Sequence, residues 1–83
     1  EDVAFAEVVV APNPFANQLR IVNYQWQSGD RYELLNVNGQ TVRTGYLQTA
    51  ETLIETSELS EGIYILRLIA ANGATKTYRV VKQ

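Results

Sequence analysis

RYELLNVNGQTVRTGY, residues 31–46, sets two short runs rich in β-branched and aromatic residues on either side of Asn38-Gly39. An Asn-Gly pair supplies the positive φ angles of a type I′ turn, so the stretch predicts a β-hairpin with strands at Arg31 to Val37 and Thr41 to Tyr46. The alternation is imperfect. Tyr32 and Leu34 share one face and Val37 falls on the other, so a bulge is expected near Leu35 or Asn36.

The same grammar extends in both directions. Upstream, strand signals run through Val3 to Phe5 and Glu7 to Val10, then Gln18 to Asn23 with Leu19 and Ile21 pointing one way. Between them stands Pro12-Asn13-Pro14, a rigid elbow: each proline fixes its own φ, and Pro14 biases Asn13 toward an extended conformation. Such an elbow turns the chain at a set angle and lets Phe15 fold back onto the core. Gln27-Ser28-Gly29-Asp30 reads as a turn. Downstream, Thr52 to Thr56, Ile63 to Ala70 and Thr75 to Lys82 complete the set. Residues 57–62 form a tight turn, or a single helical turn, with Leu59 tucked inward, and Asn72-Gly73 makes a second positive-φ turn. No segment keeps helical period. About seven short strands in one small all-β domain indicate an immunoglobulin-like antiparallel β-sandwich, because an open sheet would leave one apolar face uncovered.

A chain of 83 residues with 46% apolar residues is expected to be one domain with one core. It has no cysteine and no histidine, which removes disulfides, thiolate metal sites, the commonest zinc ligand and the commonest general base. A Ser-x-x-Lys pair, a phosphate-binding glycine loop and a calcium loop are missing too, since Asp2 and Asp30 lie far apart. Glu51, Glu55, Glu58 and Glu61 are acids enough for paired-carboxylate hydrolysis, but a small sandwich offers little concavity to desolvate a substrate. No catalytic residue, cofactor or metal is therefore expected. The longest apolar run, Ile63 to Ala71, is interrupted by Arg67 and falls far short of the about 20 residues that span a bilayer. The sequence starts at Glu1 and lacks methionine, as a piece of a longer precursor would.

Net charge is −2, unevenly distributed. From Gly62 onward stand Arg67, Lys76, Arg79 and Lys82 with no acid, whereas all nine acids precede that point. Such segregation either steers a partner to the basic C-terminus or simply sets opposite charges across neighbouring strands. The basic excess is too small for nucleic acid. Two apolar features also allow two readings each. Tyr24 and Trp26 either close the edge of the core or form a stacking platform for a sugar ring. Ile63, Ile65 and Ile69 alternate with Tyr64, Leu66 and Leu68, so the outer row is either covered by a loop or an exposed strip, with Leu35 beside it, awaiting a partner. Tyr64, two residues after Gly62, reads as a tyrosine corner whose hydroxyl ties down the preceding turn.

Pro12-Asn13-Pro14-Phe15, Leu19-Arg20-Ile21, residues 36–42 (NVNGQTV), residues 59–66 (LSEGIYIL) and the terminal Val80-Val81-Lys82-Gln83 occur in a distinctive order. From about Val8 to Gln83 the chain resembles the C-terminal sorting domain of proteins exported by the type IX secretion system of Bacteroidetes. One mild departure is Asn36, where many relatives carry Asp. The resemblance implies a non-catalytic export signal at the end of a cargo protein, recognised in the periplasm and directed through the outer membrane. It implies as partners the outer-membrane translocon and its shuttle, the upstream cargo, and a gingipain-type sortase that usually removes the domain and attaches the cargo to anionic lipopolysaccharide at the cell surface. The family's blocks map onto Pro12, Asn13, Pro14, Gly39, Gly62, Tyr64, Arg79 and Lys82. On this reading residues 1–83 are a single sorting domain, with 1–7 the end of the linker from the cargo. An exposed last strand, read by addition to a partner sheet, is one expected recognition mode. Unpaired edges also allow weak pairing of two copies without requiring it. The rival reading is an immunoglobulin-like accessory module that binds carbohydrate or protein.

Overall fold

Alternation is clearest where it builds the core. In the computed structural model, which describes residues 8–23 and 25–83, Leu19 and Ile21, Tyr64, Leu66 and Leu68, and Leu34 and Val80 all point inward and are almost fully buried. Seven strands carry them: β1 (Val9–Ala11), β2 (Gln18–Val22), β3 (Arg31–Leu35), β4 (Thr41–Tyr46), β5 (Glu51–Glu55), β6 (Gly62–Ile69) and β7 (Thr75–Lys82). They form a three-stranded sheet in the order β1-β2-β5 and a four-stranded sheet in the order β4-β3-β6-β7, every pair antiparallel. Among the described residues there is no helix, hence none long and apolar enough to cross a membrane. Phe15, Leu47 and Ile54 fill the space between the sheets. Fully burying one such side chain stabilises the fold by about 1.5–3 kcal/mol.

The expected all-β sandwich of seven strands is the fold observed. The expected strands at Val3 to Phe5 and the start of Glu7 to Val10 lie outside the described residues. The turn at residues 57–62 is a turn without helix, closed by the Leu59 amide donating to the Thr56 carbonyl at 3.0 Å. The β3–β4 hairpin forms, but its connection differs from a two-residue type I′ turn. The Gly39 amide donates to the Asn36 carbonyl, and the Asn36 amide to the Gln40 carbonyl, leaving a three-residue loop of Val37, Asn38 and Gly39. Gly39 takes the left-handed position, at φ +79°, as the last residue of the loop. The Asn36 carboxamide oxygen accepts the amides of Asn38 and Gln40, which rewards the earlier turn over the Asn-Gly one. The register shift occurs between Leu34 and Leu35, as expected, but the extra residue is Val42 on the facing strand.

A buried acid ties three connections at the opposite end. Asp30 is 4% exposed; its carboxylate accepts the amides of Gln27 at 2.9 Å and Ala71 at 3.0 Å, and its carbonyl accepts the amide of Leu47 at 2.8 Å. The β2–β3 turn, the β6–β7 hairpin and the residue after β4 are thereby held to one side chain. Replacing Asp30 with alanine strands two amides, and Asp30→Ala is expected to cost about 3 kcal/mol in urea denaturation. Asp30→Asn, which keeps one acceptor, is expected to lose less.

Candidate recognition site

The elbow of residues 12–15 moves the chain from one sheet to the other. β1 pairs with β2 in the three-stranded sheet, and after Pro12-Asn13-Pro14 the chain meets β7 of the four-stranded sheet, where Phe15 forms a parallel bridge with Lys82. Both prolines follow cis peptide bonds. The contact is built almost wholly from backbone and one carboxamide. Phe15 donates its amide to the Val81 carbonyl at 2.8 Å and accepts the Gln83 amide at 2.8 Å. Asn13 accepts the Val81 amide at 3.0 Å and donates to the Arg79 carbonyl at 3.3 Å. Odd-numbered residues of β7 face the sheet edge, so residues 13–15 occupy that edge from Arg79 to Gln83.

The expectation of an exposed last strand is met only in part, since the elbow covers the C-terminal end of β7 and leaves the edge at Thr75 and Thr77 to the outside. An incoming strand would find the Arg79 carbonyl, both backbone groups of Val81 and the Gln83 amide already paired. Val80, 1% exposed, belongs to the core, so the last residues of β7 serve both the core and the docking of Phe15.

Phe15 links the elbow to the next block. Its ring, 1% exposed, meets Tyr64 edge-to-face with centroids 6.2 Å apart. The Tyr64 hydroxyl donates to the Ser60 carbonyl at 2.7 Å, the tyrosine corner that the sequence predicts. Gly62 opens β6 at φ +147°, a backbone position that L side chains rarely adopt, and pairs with Lys82. The Lys82 side chain points inward, is 8% exposed in total, and donates from Nζ to the Gln83 carbonyl. Pro12, Asn13, Pro14, Gly62, Tyr64, Arg79 and Lys82 are thus joined through shared contacts. Gly39 stands apart, since its hairpin closes the far edge of the order β4-β3-β6-β7.

Charge is arranged mainly across strands. Glu33 on β3 accepts from Arg67 at 2.7 Å and from Arg31 at 3.0 Å, so one C-terminal cation is matched by a neighbour. Those two hydrogen bonds, with Arg67 the larger influence, hold the Glu33 carboxyl below its usual 4.5. On the other sheet Arg20 meets Glu51 at 3.3 Å. Arg43 reaches from β4 across to β5, donating from Nε to the Glu55 carbonyl at 3.0 Å, and protects that open seam with a charge. Lys76 lies over the Tyr78 ring, 5.4 Å from its centroid.

The aromatic platform is met only in part. Trp26 and Tyr46 border a depression of about 370 Å³ with Leu47 and Gln48, whereas Tyr24 lies outside the described residues. Tyr46, 62% exposed, was not a candidate; only its register beside Arg31 at the strand end could have pointed to it. Among the described residues no three His, Cys, Asp or Glu side chains are grouped to hold a metal ion. Thr56 is a further residue that sequence gives little reason to single out. It is fully buried and donates to the Ala16 carbonyl at 2.9 Å, anchoring the far side of the elbow.

Residues 9–83 match the family model described as the secretion system C-terminal sorting domain. Among solved structures, the chain is similar to PorZ, an essential bacterial surface component of the type IX secretion system of Porphyromonas gingivalis, with TM-score 0.82 and 16% identity. The similarity covers 98% of this chain and 12% of that one, so the chain spans a small part of PorZ, and at this identity the likeness shows the fold. No curated protein matches the sequence.

Two outcomes follow from the geometry. Asn13→Ala removes both carboxamide bonds to β7 and is expected to cost about 1–2 kcal/mol in urea denaturation, with Asn13→Asp intermediate because the acceptor survives. For Glu33 the depressed carboxyl means that its contribution is present above pH 4.5 and lost as pH falls through its lower folded value. The stability difference between the parent and Glu33→Gln should therefore shrink on acidification from pH 7 to pH 3, as urea midpoints would show.

Proposed function

Because this chain belongs to the family of secretion system C-terminal sorting domains, we propose that it acts as a non-catalytic address, carried as a folded unit by a cargo protein exported through the type IX system. The observation that carries this reading is the extent of the match, residues 9–83, over a fold that joins its first and last blocks by direct contact. Membership implies export to the cell surface or beyond. The finer steps belong to the proposal: recognition in the periplasm by the translocon and its shuttle, then removal by a gingipain-type sortase and attachment of the cargo to anionic lipopolysaccharide. So do the division into a single sorting domain with residues 1–7 as the end of a linker, and the roles of Pro12, Asn13, Pro14, Gly39, Gly62, Tyr64, Arg79 and Lys82.

Physical chemistry suits the task. A signal shared by unrelated cargoes has to fold without help from any of them, and this one does so without cysteine. Its information then lies in shape and surface charge. A second reading, an accessory module that binds carbohydrate, has the Trp26–Tyr46 depression in its favour.

The test is a fusion of residues 1–83 to the C-terminus of a neutral reporter in a bacterium with a working type IX system. Reporter at the cell surface or in the medium is the expected result, with Trp26→Ala exported as well. Retention of the reporter in the periplasm, with the domain folded, would contradict the sorting role.

A further inference from the structure

Inward alternation of Leu34, Leu66 and Val80 sends their neighbours Leu35, Ile65 and Val81 to the outer surface of the four-stranded sheet. Register sets Leu35 beside Ile65, and Ile63 beside Val81, giving a continuous apolar strip across β3, β6 and β7. Ile63 is 38% exposed, and the adjoining loop adds Val37 at 74%. Of the outer row only Ile63 is exposed, and Leu35, Ile65, Ile69 and Val81 are half-buried, so the strip is open to solvent in part.

Charge narrows what can cover it. Arg79 stands opposite Ile65, and the Arg31-Glu33-Arg67 cluster comes next along the strands. Three arginines against one glutamate leave this face positive, and the β3–β4 and β6–β7 loops carry no charged residue. The outer face of the other sheet has the opposite balance, Glu51 and Glu55 against Arg20, and runs on to Glu58 and Glu61. Two copies stacked through their four-stranded faces would bring like charges together. A strip of side chains fixed on a pleated sheet, with two arginines pinned by Glu33, suits a structured protein surface better than a fluid lipid headgroup layer.

We propose that the outer face of the β4-β3-β6-β7 sheet is where the domain docks, and that its partner is an acidic, apolar surface on a protein of the export machinery. The proposal rests on the sorting role above. The apolar strip supplies affinity, while the arginines orient the encounter and reject basic surfaces.

The experiment uses the reporter fusion with variants on each face, after circular dichroism and thermal melts of each 83-residue chain confirm parental folding. Ile63→Ser/Ile65→Thr and Arg79→Glu should each lower surface reporter by about tenfold or more, the size of a lost interface anchor. Leu53→Ser on the opposite sheet should export like the parent. Parental export by folded Ile63→Ser/Ile65→Thr and Arg79→Glu variants would overturn the proposal while leaving the sorting role intact. Failure of the parent itself would refute that role and the docking surface together. If the same variants abolished binding to anionic lipid vesicles, or self-association in sedimentation, without reducing export, the face would belong to a membrane or a second copy, and the proposal would fall.

Discussion

The structure depends on the pairing of residues 13–15 with the last strand. A sandwich of three and four strands has open edges on both flanks, and each exposes unpaired amides and carbonyls to any passing strand. On one flank Arg43 crosses from β4 to the Glu55 carbonyl. On the other, Asn13 and Phe15 pair the Arg79 carbonyl, the Val81 amide and carbonyl and the Gln83 amide. That contact joins residues 66 and 68 positions apart in sequence through a carboxamide and makes the two ends of the domain depend on each other. The elbow has no chemistry of its own, and its residue types need none, because its task is to change sheets within a few residues.

Closure of this edge changes what a partner can read. Strand addition at the C-terminus would have to displace the elbow first. What a folded domain offers instead is side-chain surface, and here the two outer faces differ in sign as well as in shape. The uneven charge visible in the sequence has both meanings at once. Arg67 is matched across the sheet by Glu33, as a purely structural arrangement requires, whereas Arg79 projects from the outer face beside apolar neighbours.

Much of the fold is legible from local pattern. Leu19 and Ile21, or Tyr64, Leu66 and Leu68, follow a period of two that admits a single buried face, and the tyrosine corner has a recognisable spacing from Gly62. The hairpin connection was less so, because Asn-Gly favours one turn while the preceding Asn36 carboxamide stabilises another a residue earlier. Asp30 and Thr56 were the least legible. Each looks like an ordinary turn or strand-end residue, and its importance arises only from partners 41 and 40 positions away. The pairing of Phe15 with Lys82 is long-range in the same sense. Sequence marks Phe15 as returning to the core, but not which strand its backbone meets.

Amide hydrogen exchange on the unaltered domain tests the edge closure most directly. If the elbow locks β7, the amides of Phe15, Val81 and Gln83 exchange as one group, at rates approaching those of core amides such as Leu66. Exchange of Val81 and Gln83 at the rate of an unpaired edge, while Leu66 stays protected, would contradict the account.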